Sequence, residues 1–175
     1  MPNIEFITAD ARVHRSELIE LNVEYLSWVF TEVEKLFHVS VEQIVGLPAH
    51  AYVPTVIDKV CGDPPPKGIF YLIQVDNQLA GMGGLRCLRD GVCEIKRIYI
   101  RPTFRGMKLG ELALRRILAD AVAFGYQRAC LDTGLFMQSA HRLYESHGFV
   151  DCAPYEGVET PPQFHARWRF MERAL

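Results

Sequence analysis

The chain has 175 residues, of which 49% are hydrophobic and 23% are charged, and its formal net charge at pH 7 is −2. This length and composition predict one globular domain that buries its core without disulfides or metals. The charge argues against a nucleic-acid or membrane-surface binder, because both classes usually carry a strong basic bias.

The first third of the chain is predicted to be one strand followed by helices. Ile4–Thr8 alternates like a short strand. Apolar residues then recur at three- and four-residue intervals over 18–37, which is typical of an amphipathic helix. Ser40 is placed to cap a short second helix. A third helix is predicted at 49–61, and Pro54 leaves its bounds open because proline suits only a first turn.

The rest of the chain is predicted to form most of a sheet. The elements expected, in order, are strands at 69–75, 79–88 and 92–100, a helix at 109–124, a strand at 128–132, a helix at 139–147, a strand from Phe149 and a strand at 165–172. The first three strands are joined by polar turns and form an antiparallel meander. A meander that feeds a β-α-β unit predicts a mixed sheet of the α/β class with helices on its faces.

The cysteines and the N-terminus bear on where the protein works. The five cysteines are odd in number and no two have C-x-x-C spacing, so we expect them to be reduced. No signal peptide is recognised, and no apolar run approaches the roughly 18 residues of a membrane span. A cytoplasmic protein is therefore expected. The six histidines have no metal-binding spacing, and no metal is expected.

The run from Arg105 to Gly110 has the features of an anion site. It lies where the third meander strand gives way to a helix, whose first turn carries free N–H groups and the positive end of the dipole. Gly106 and Gly110 allow a close backbone approach, and Arg105 and Lys108 add positive charge. The Walker pattern is absent. Taken alone, the run is equally typical of an ordinary glycine turn before a helix.

A second run, from Ala140 to Phe149, carries a tyrosine on a helix that ends in Gly-Phe. Taken alone, Tyr144 is more typical of an aromatic residue without chemistry. Together, however, the two runs resemble the GNAT superfamily of acetyl-CoA-dependent N-acetyltransferases. Two motifs of that family carry the resemblance: Q/R-x-x-G-x-G/A at Arg105, Lys108 and Gly110, where lysine replaces the middle glycine, and A-x-x-L-Y-x-x-x-G-F at Ala140, Leu143, Tyr144, Gly148 and Phe149.

The resemblance covers residues 68–149 well and implies an architecture. A central mixed sheet of about six or seven strands is expected, and two splayed central strands would form the acetyl-CoA cleft. The whole of 1–175 would be one N-acetyltransferase domain. Its cofactor-binding core would occupy about 68–149 and its acceptor-side helices about 10–61.

The resemblance also implies how acetyl-CoA binds. Backbone groups of Ile98, Tyr99 and Ile100 would pair with the pantetheine. The pyrophosphate would be held by the N–H groups of Arg105, Gly106, Met107, Lys108, Leu109, Gly110 and Glu111. Tyr144 would protonate the leaving thiolate. Many family members carry an asparagine where this chain has Met137, and the neighbouring Gln138 is the candidate to take over that contact.

Glu94 is the candidate general base. It lies on the strand that the resemblance places beside the thioester, and a substrate ammonium must lose a proton before it attacks. An ion pair with Lys96 or Arg97 is the alternative interpretation. Cys93 or Cys130 as a nucleophile is a weaker rival, because neither has a histidine at a recognisable spacing.

The acceptor is expected to be a small-molecule or peptide amine, with neither nucleic acid nor a membrane as partner. In the family, the first helices border the acceptor site, so Glu24, Tyr25 and Trp28 are candidate substrate contacts. The alternative function is a catalytically inactive CoA-binding sensor or scaffold of the same fold. Homodimers are common in the family, which leaves the oligomeric state open.

Overall fold

A computed structural model describes all 175 residues, and one seven-stranded sheet runs through it. The strand order is β1-β2-β3-β4-β5-β7-β6, and only the β4–β5 pair is parallel. The strands are β1 (Ile4–Thr8), β2 (Ile69–Val75), β3 (Gln78–Arg89), β4 (Val92–Ile100), β5 (Arg128–Gly134), β6 (Val150–Asp151) and β7 (Trp168–Ala174). The mixed sheet expected from the sequence is confirmed.

Five helices cover the two faces of this sheet. They are α1 (Arg15–Phe37), α2 (Val41–Val45), α3 (Ala49–Cys61), α4 (Leu109–Ala123) and α5 (Gln138–Ser146). One face packs against α1 and α3 through a core cluster that includes Leu21, Ile57 and Tyr99. The other face packs against α4 and α5 through a cluster that includes Ile95 and Leu114. None of the helices is long and apolar enough to cross a membrane.

Two irregularities of β4 create the space for a site. The strand pairs with β5 only from Val92 to Glu94, and beyond that point the two strands separate. The register between β3 and β4 also shifts between Gly84 and Met82, and Arg97 has a positive φ of 52° there. A β-bulge of this kind places two successive side chains on one face and bends the strand. The two splayed central strands implied by the resemblance are therefore present, and the first of them carries a bulge.

The end of the chain differs from the prediction. A strand is expected from His165, but β7 begins at Trp168 and a short 3-10 helix occupies Pro162–Arg167. Proline fixes a helical φ and suits a first helical turn, which favours the helix over the strand at this point. Buried Phe164 anchors this helix against the α1 side of the core.

Candidate functional site

The gap between β4 and β5 is a cavity of about 570 Å³, which we call the interstrand cleft. Residues of β4, β5, α1, α4 and α5 line it. Its β4 wall includes the three residues expected to face pantetheine, Ile98, Tyr99 and Ile100, together with Ile95 and Arg97. Because β5 has left this edge, β4 can accept an extended ligand as an added strand.

The start of α4 closes one end of the cleft with unused hydrogen-bond donors. The first bond of the helix runs from the Leu112 N–H to the Lys108 carbonyl. The N–H groups of residues 106–111 donate to no group of the protein. Free N–H groups at a helix start, combined with the positive end of the helix dipole, make an anion-binding site.

The glycines of this run leave room for a bulky anion. A Cβ atom at Gly106 would meet nothing within 4 Å, and one at Gly110 would meet only a Leu143 methyl at 3.8 Å. Gly106 also has a φ of 86°, which favours glycine. Arg105 uses its own N–H for a bond to Pro102 and contributes its side chain to the cleft instead.

Helix α5 brings Tyr144 and Gln138 to the cleft from the other side. Tyr144 is buried against Phe149, and its hydroxyl bonds to no group of the protein. Burial and the negative charge of Asp132 raise the pKa of this hydroxyl, so it holds its proton at neutral pH. Met137 lines the cleft as well, and its sulfur accepts a hydrogen bond from Thr133 Oγ1 at 3.4 Å.

A second cavity of about 130 Å³ adjoins the cleft on the α1 side of the sheet, and we call it the acceptor pocket. Tyr25, Ile95, Arg97 and Asp132 line both cavities and therefore mark the junction. The remaining wall has three polar residues, Lys96, Glu159 and Thr160. Its other residues are mostly apolar: Leu26, Val29, Phe30, Val33, Val41, Val45, Tyr52, Pro161, Phe164 and Trp168.

Two of the three predicted substrate contacts line these cavities. Tyr25 lines both cavities, and Trp28 lines the interstrand cleft. Glu24 lines neither, because its carboxylate is bound by the Arg101 guanidinium at 2.7 Å and by the Tyr99 hydroxyl at 3.4 Å. The resemblance to the family indicated this face of α1 but could not show which of its polar residues are already engaged.

The bulge of β4 places two cations in the acceptor pocket. Lys96 Nζ lies 2.7 Å from Glu159, and Arg97 donates to Asn22 Oδ1 at 2.6 Å. Burial opposes the charge of Lys96, but Glu159, Glu94 and Asp132 outweigh it and raise its pKa. Burial alone would raise the pKa of Glu159, but Lys96 and Arg97 lower it to about 2. The cluster is therefore ionised at neutral pH.

Glu94 lies behind this cluster, lines neither cavity and is fully buried. Its Oε2 accepts from Arg86 Nε at 2.6 Å, and its Oε1 accepts from the Tyr155 hydroxyl at 3.0 Å. Lys96 Nζ lies 3.7 Å away. The ion-pair interpretation of Glu94 therefore holds with Lys96, but its closer partner is Arg86 on the neighbouring strand, which the sequence did not indicate.

Asp132 is the site carboxylate that the sequence did not single out. It stands on β5 beyond the point of separation from β4, at the junction of the two cavities. Its Oδ2 accepts from Thr160 Oγ1 at 2.6 Å and from Trp168 Nε1 at 2.8 Å. The only sequence signal for it is an acidic residue at the end of a predicted buried strand, where a polar side chain has no packing role.

The two candidate nucleophilic cysteines stand apart from both cavities. Cys93 and Cys130 are buried and line neither space. Burial raises the pKa of the Cys93 thiol to about 12 and raises that of Cys130 as well. A thiol of this kind is not a nucleophile at neutral pH. The structure also contains no group of three His, Cys, Asp or Glu side chains placed to hold a metal ion.

Comparison with known proteins gives one family. Residues 30–149 match the model of the acetyltransferase (GNAT) family. An uncharacterised N-acetyltransferase of Schizosaccharomyces pombe is 37% identical over 109 residues, which cover 59% of this chain and 64% of that protein. An IAA acetyltransferase of Azospirillum brasilense is 37% identical over 107 residues, covering 61% of this chain and 67% of that protein. The matched segment thus spans about two thirds of these relatives.

Solved structures agree in fold. The PaiA N-acetyltransferase of Thermoplasma acidophilum, determined in complex with coenzyme A, superimposes with a TM-score of 0.68. The match covers 99% of both chains at 16% sequence identity. Similarity at this level of identity establishes the shared fold.

Proposed function

Because the chain belongs to the GNAT family of acetyltransferases, we propose that it transfers the acetyl group of acetyl-CoA to a primary amine by direct attack. The observation that carries the proposal is that the interstrand cleft, which is lined by Tyr144 and ends at the free N–H groups of α4, meets the acceptor pocket at Asp132. The cofactor-binding core then lies at about 68–149 and the acceptor-side helices at about 10–61.

The residues of the cleft fit a CoA thioester. The N–H groups of residues 106–111 and the Arg105 side chain match a pyrophosphate, and the open space at Gly106 and Gly110 admits it. The free edge of β4 at Ile98–Ile100 matches the amide groups of pantetheine. Gln138 adds a side-chain amide on the α5 side. Acetyl-CoA, when bound, supplies an activated acetyl group.

Tyr144 is assigned the role of general acid. The acceptor nitrogen forms a bond to the acetyl carbon, the carbon–sulfur bond breaks, and the thiolate takes the Tyr144 proton. The proton that leaves the new amide nitrogen restores Tyr144. A buried tyrosine with a raised pKa and an unengaged hydroxyl suits this donor role. We assign stabilisation of the oxyanion to a backbone N–H of β4 near Ile98.

The second candidate function is a CoA-binding sensor without turnover. Met137, at the position where many family members carry asparagine, favours it, because a thioether is a weak hydrogen-bond acceptor and no donor. Such a protein would bind CoA and acetyl-CoA alike and would release no thiol with any amine.

The proposal is tested by thiol release from acetyl-CoA in the presence of a panel of primary amines, with Tyr144→Phe as the variant. Loss of the general acid should lower kcat by about 100-fold and leave the Kd for CoA unchanged, because the ring still packs on Phe149. If no amine of the panel raises thiol release above the amine-free rate, the transferase proposal is contradicted and the sensor function is favoured.

A further inference from the structure

The acceptor pocket carries positive charge on one wall and negative charge on another, which indicates a ligand with groups of both signs. The β4 wall carries Lys96 and Arg97, and the β5 wall carries Asp132. Asp132 has no Lys, Arg or His nitrogen within 4.0 Å, so the two walls do not neutralise each other through a direct ion pair. Buried charges are usually paired, and a pocket that holds them apart is suited to a ligand that bridges them.

The β4 wall has more positive charge than its own partners neutralise. Lys96 and Arg97 share one carboxylate, that of Glu159, at 2.7 and 3.5 Å. Glu94 lies 3.7 Å from Lys96 but is also bound by Arg86 at 2.6 Å, so these three cations face two carboxylates. Arg97 donates one hydrogen bond within the protein, to Asn22, and its other polar contact is the 3.5 Å ion pair with Glu159, so its guanidinium keeps donors for a ligand in the pocket that it lines. A guanidinium is the group best matched to a carboxylate.

The β4 bulge determines where the Arg97 side chain lies. The Arg97 φ of 52° lies in the left-handed region, which is uncommon for a residue with a side chain. The bulge places Lys96 and Arg97 in succession on the pocket face, whereas the regular alternation of a strand would separate them. Backbone strain of this kind is found at ligand sites, where neighbouring structure maintains it.

The β5 wall offers a carboxylate at the junction with the cleft. Asp132 Oδ2 is held by Thr160 and Trp168, while Oδ1 accepts no hydrogen bond within the protein. Asp132 lines both cavities, whereas Glu94 lines neither. An ammonium bound by Asp132 would therefore stand at the end of the acceptor pocket that opens towards Tyr144.

On the basis of the proposed acetyl transfer, we propose that the acceptor is a free amino acid with an apolar side chain. Its ammonium binds Asp132, its carboxylate binds Arg97 and Lys96, and its side chain lies among the apolar residues of the acceptor pocket. The cavity of about 130 Å³ suits a compact molecule. Its apolar wall, formed by residues such as Val29 and Phe164, favours an aliphatic or aromatic side chain.

Asp132 then serves as the proton acceptor. One ammonium proton passes to its carboxylate, which leaves a neutral amine able to attack the acetyl carbon. Asp132 later releases that proton to solvent. Tyr144 gives its proton to the thiolate and regains one from the amide nitrogen, so the complete reaction releases one proton.

The experiment compares each amino acid with the amine that lacks its carboxylate. L-leucine is paired with 3-methylbutylamine, and L-phenylalanine with 2-phenylethylamine, in the thiol-release assay. We expect kcat/KM to be at least about tenfold higher for the amino acid of at least one pair, the equivalent of about 1.4 kcal/mol. Binding of the same amino acids to the CoA-saturated protein is measured by calorimetry.

Two variants assign the effect to its residues. Arg97→Met should abolish the preference for the amino acid, and Asp132→Asn should lower kcat for the amino acid and for the simple amine alike. Arg128→Met is the control, because Arg128 is a solvent-exposed cation at the far end of β5, paired with Glu172. Arg128→Met should change neither the preference for the amino acid nor kcat.

The outcomes separate the acceptor proposal from the catalytic one. Acetylation of simple amines as fast as of amino acids would overturn the acceptor class and leave the acetyltransferase intact. Binding of an amino acid that weakens in Arg97→Met, without turnover of any amine, would support the acceptor site and refute the proposed function. If the protein neither binds nor acetylates any of the amino acids, the inference is overturned.

Discussion

At the scale of single residues, the two carboxylates of the site differ in what already holds them. Glu94 is enclosed by Arg86, Tyr155 and Lys96, whereas Asp132 keeps one oxygen unengaged at the junction of the two cavities. A group with a fixed ion pair is a poor proton acceptor, because accepting a proton would leave its cationic partner buried and unneutralised. These contacts favour Asp132 for the proton transfer and Glu94 for stability.

Replacing Glu94 tests this division. Glu94→Gln leaves Arg86 buried without its counter-charge and should lower the free energy of unfolding by about 3–5 kcal/mol. The double variant Arg86→Met/Glu94→Gln removes both charges and keeps an acceptor for Tyr155, so most of the loss should be recovered. Stability is measured by urea unfolding, and kcat is measured by thiol release.

The activity of the double variant decides the role of Glu94. If Glu94 acts only through the ion pair, kcat should stay within about threefold of the unmodified protein, whereas loss of a general base costs about 100-fold or more. A stable double variant with a kcat lowered to that extent would restore Glu94 as the base and remove Asp132 from that role.

At the scale of elements, the start of α4 both begins a helix and lines the cleft, and Gly110 takes part in both. Gly110 lies in the first helical turn, where its missing side chain leaves the cleft open. Helix geometry itself does not require glycine there, because its φ is not positive. Gly110→Leu should therefore fold normally, gain a little helix propensity, and weaken binding of CoA by at least tenfold, about 1.4 kcal/mol.

Ala119→Leu is the matched control for this helix. Ala119 lies on the exposed face of α4, so the same side chain added there should change neither CoA affinity nor the melting temperature by a measurable amount. Calorimetric titration gives the affinity, and thermal unfolding gives the stability. An unchanged CoA affinity in Gly110→Leu would show that the cleft is not the CoA site.

Local patterns determine how much of these elements can be predicted from sequence. The bounds of β1, β2, β4 and α3 follow from alternation, apolar runs and turn residues, and they agree with the structure. The bulge at Arg97 leaves no such pattern, because it depends on the pairing of β4 with β3. The engagement of Glu24 by Arg101 is likewise a contact between elements that are distant in sequence.

At the scale of the whole molecule, the buried charges make stability depend on pH. The pKa of Glu159 falls from its ordinary value of 4.5 to about 2 in the folded protein. Its carboxylate therefore stabilises the fold above pH 4.5, and this stabilisation is lost as the pH falls from 4.5 towards 2. The contribution is on the order of 3 kcal/mol.

Glu159→Gln provides the comparison for this prediction. The variant should be less stable than the unmodified protein at pH 7, and the difference in unfolding free energy should shrink as the pH falls below 4.5. Urea unfolding of both proteins at a series of pH values measures this difference in unfolding free energy. A difference that stays constant down to pH 3 would mean that Glu159 is not held ionised by Lys96 and Arg97.

The run at 105–110 predicts an anion site from the sequence, because free N–H groups and glycines act through local geometry. The part expected of 140–149 follows only from the resemblance to the family. The acceptor half could not be predicted in this way. The pocket proposed for the acceptor is assembled from α1, α2, α3, β4, β5, β7 and the segment at 159–164, and only the folded sheet brings these parts together. The sequence predicts an acceptor site near α1 and leaves its charges undetermined.

Acetyl-CoA binding at the start of α4 is the central claim, because both proposals require it. Titration calorimetry of acetyl-CoA into the unmodified protein and into Arg105→Ala/Lys108→Ala measures this binding. We expect an affinity for the unmodified protein that weakens at least tenfold in the variant, about 1.4 kcal/mol. The absence of heat with the unmodified protein, or equal affinity in both proteins, would contradict the claim, and the Arg105–Gly110 run would be an ordinary glycine turn.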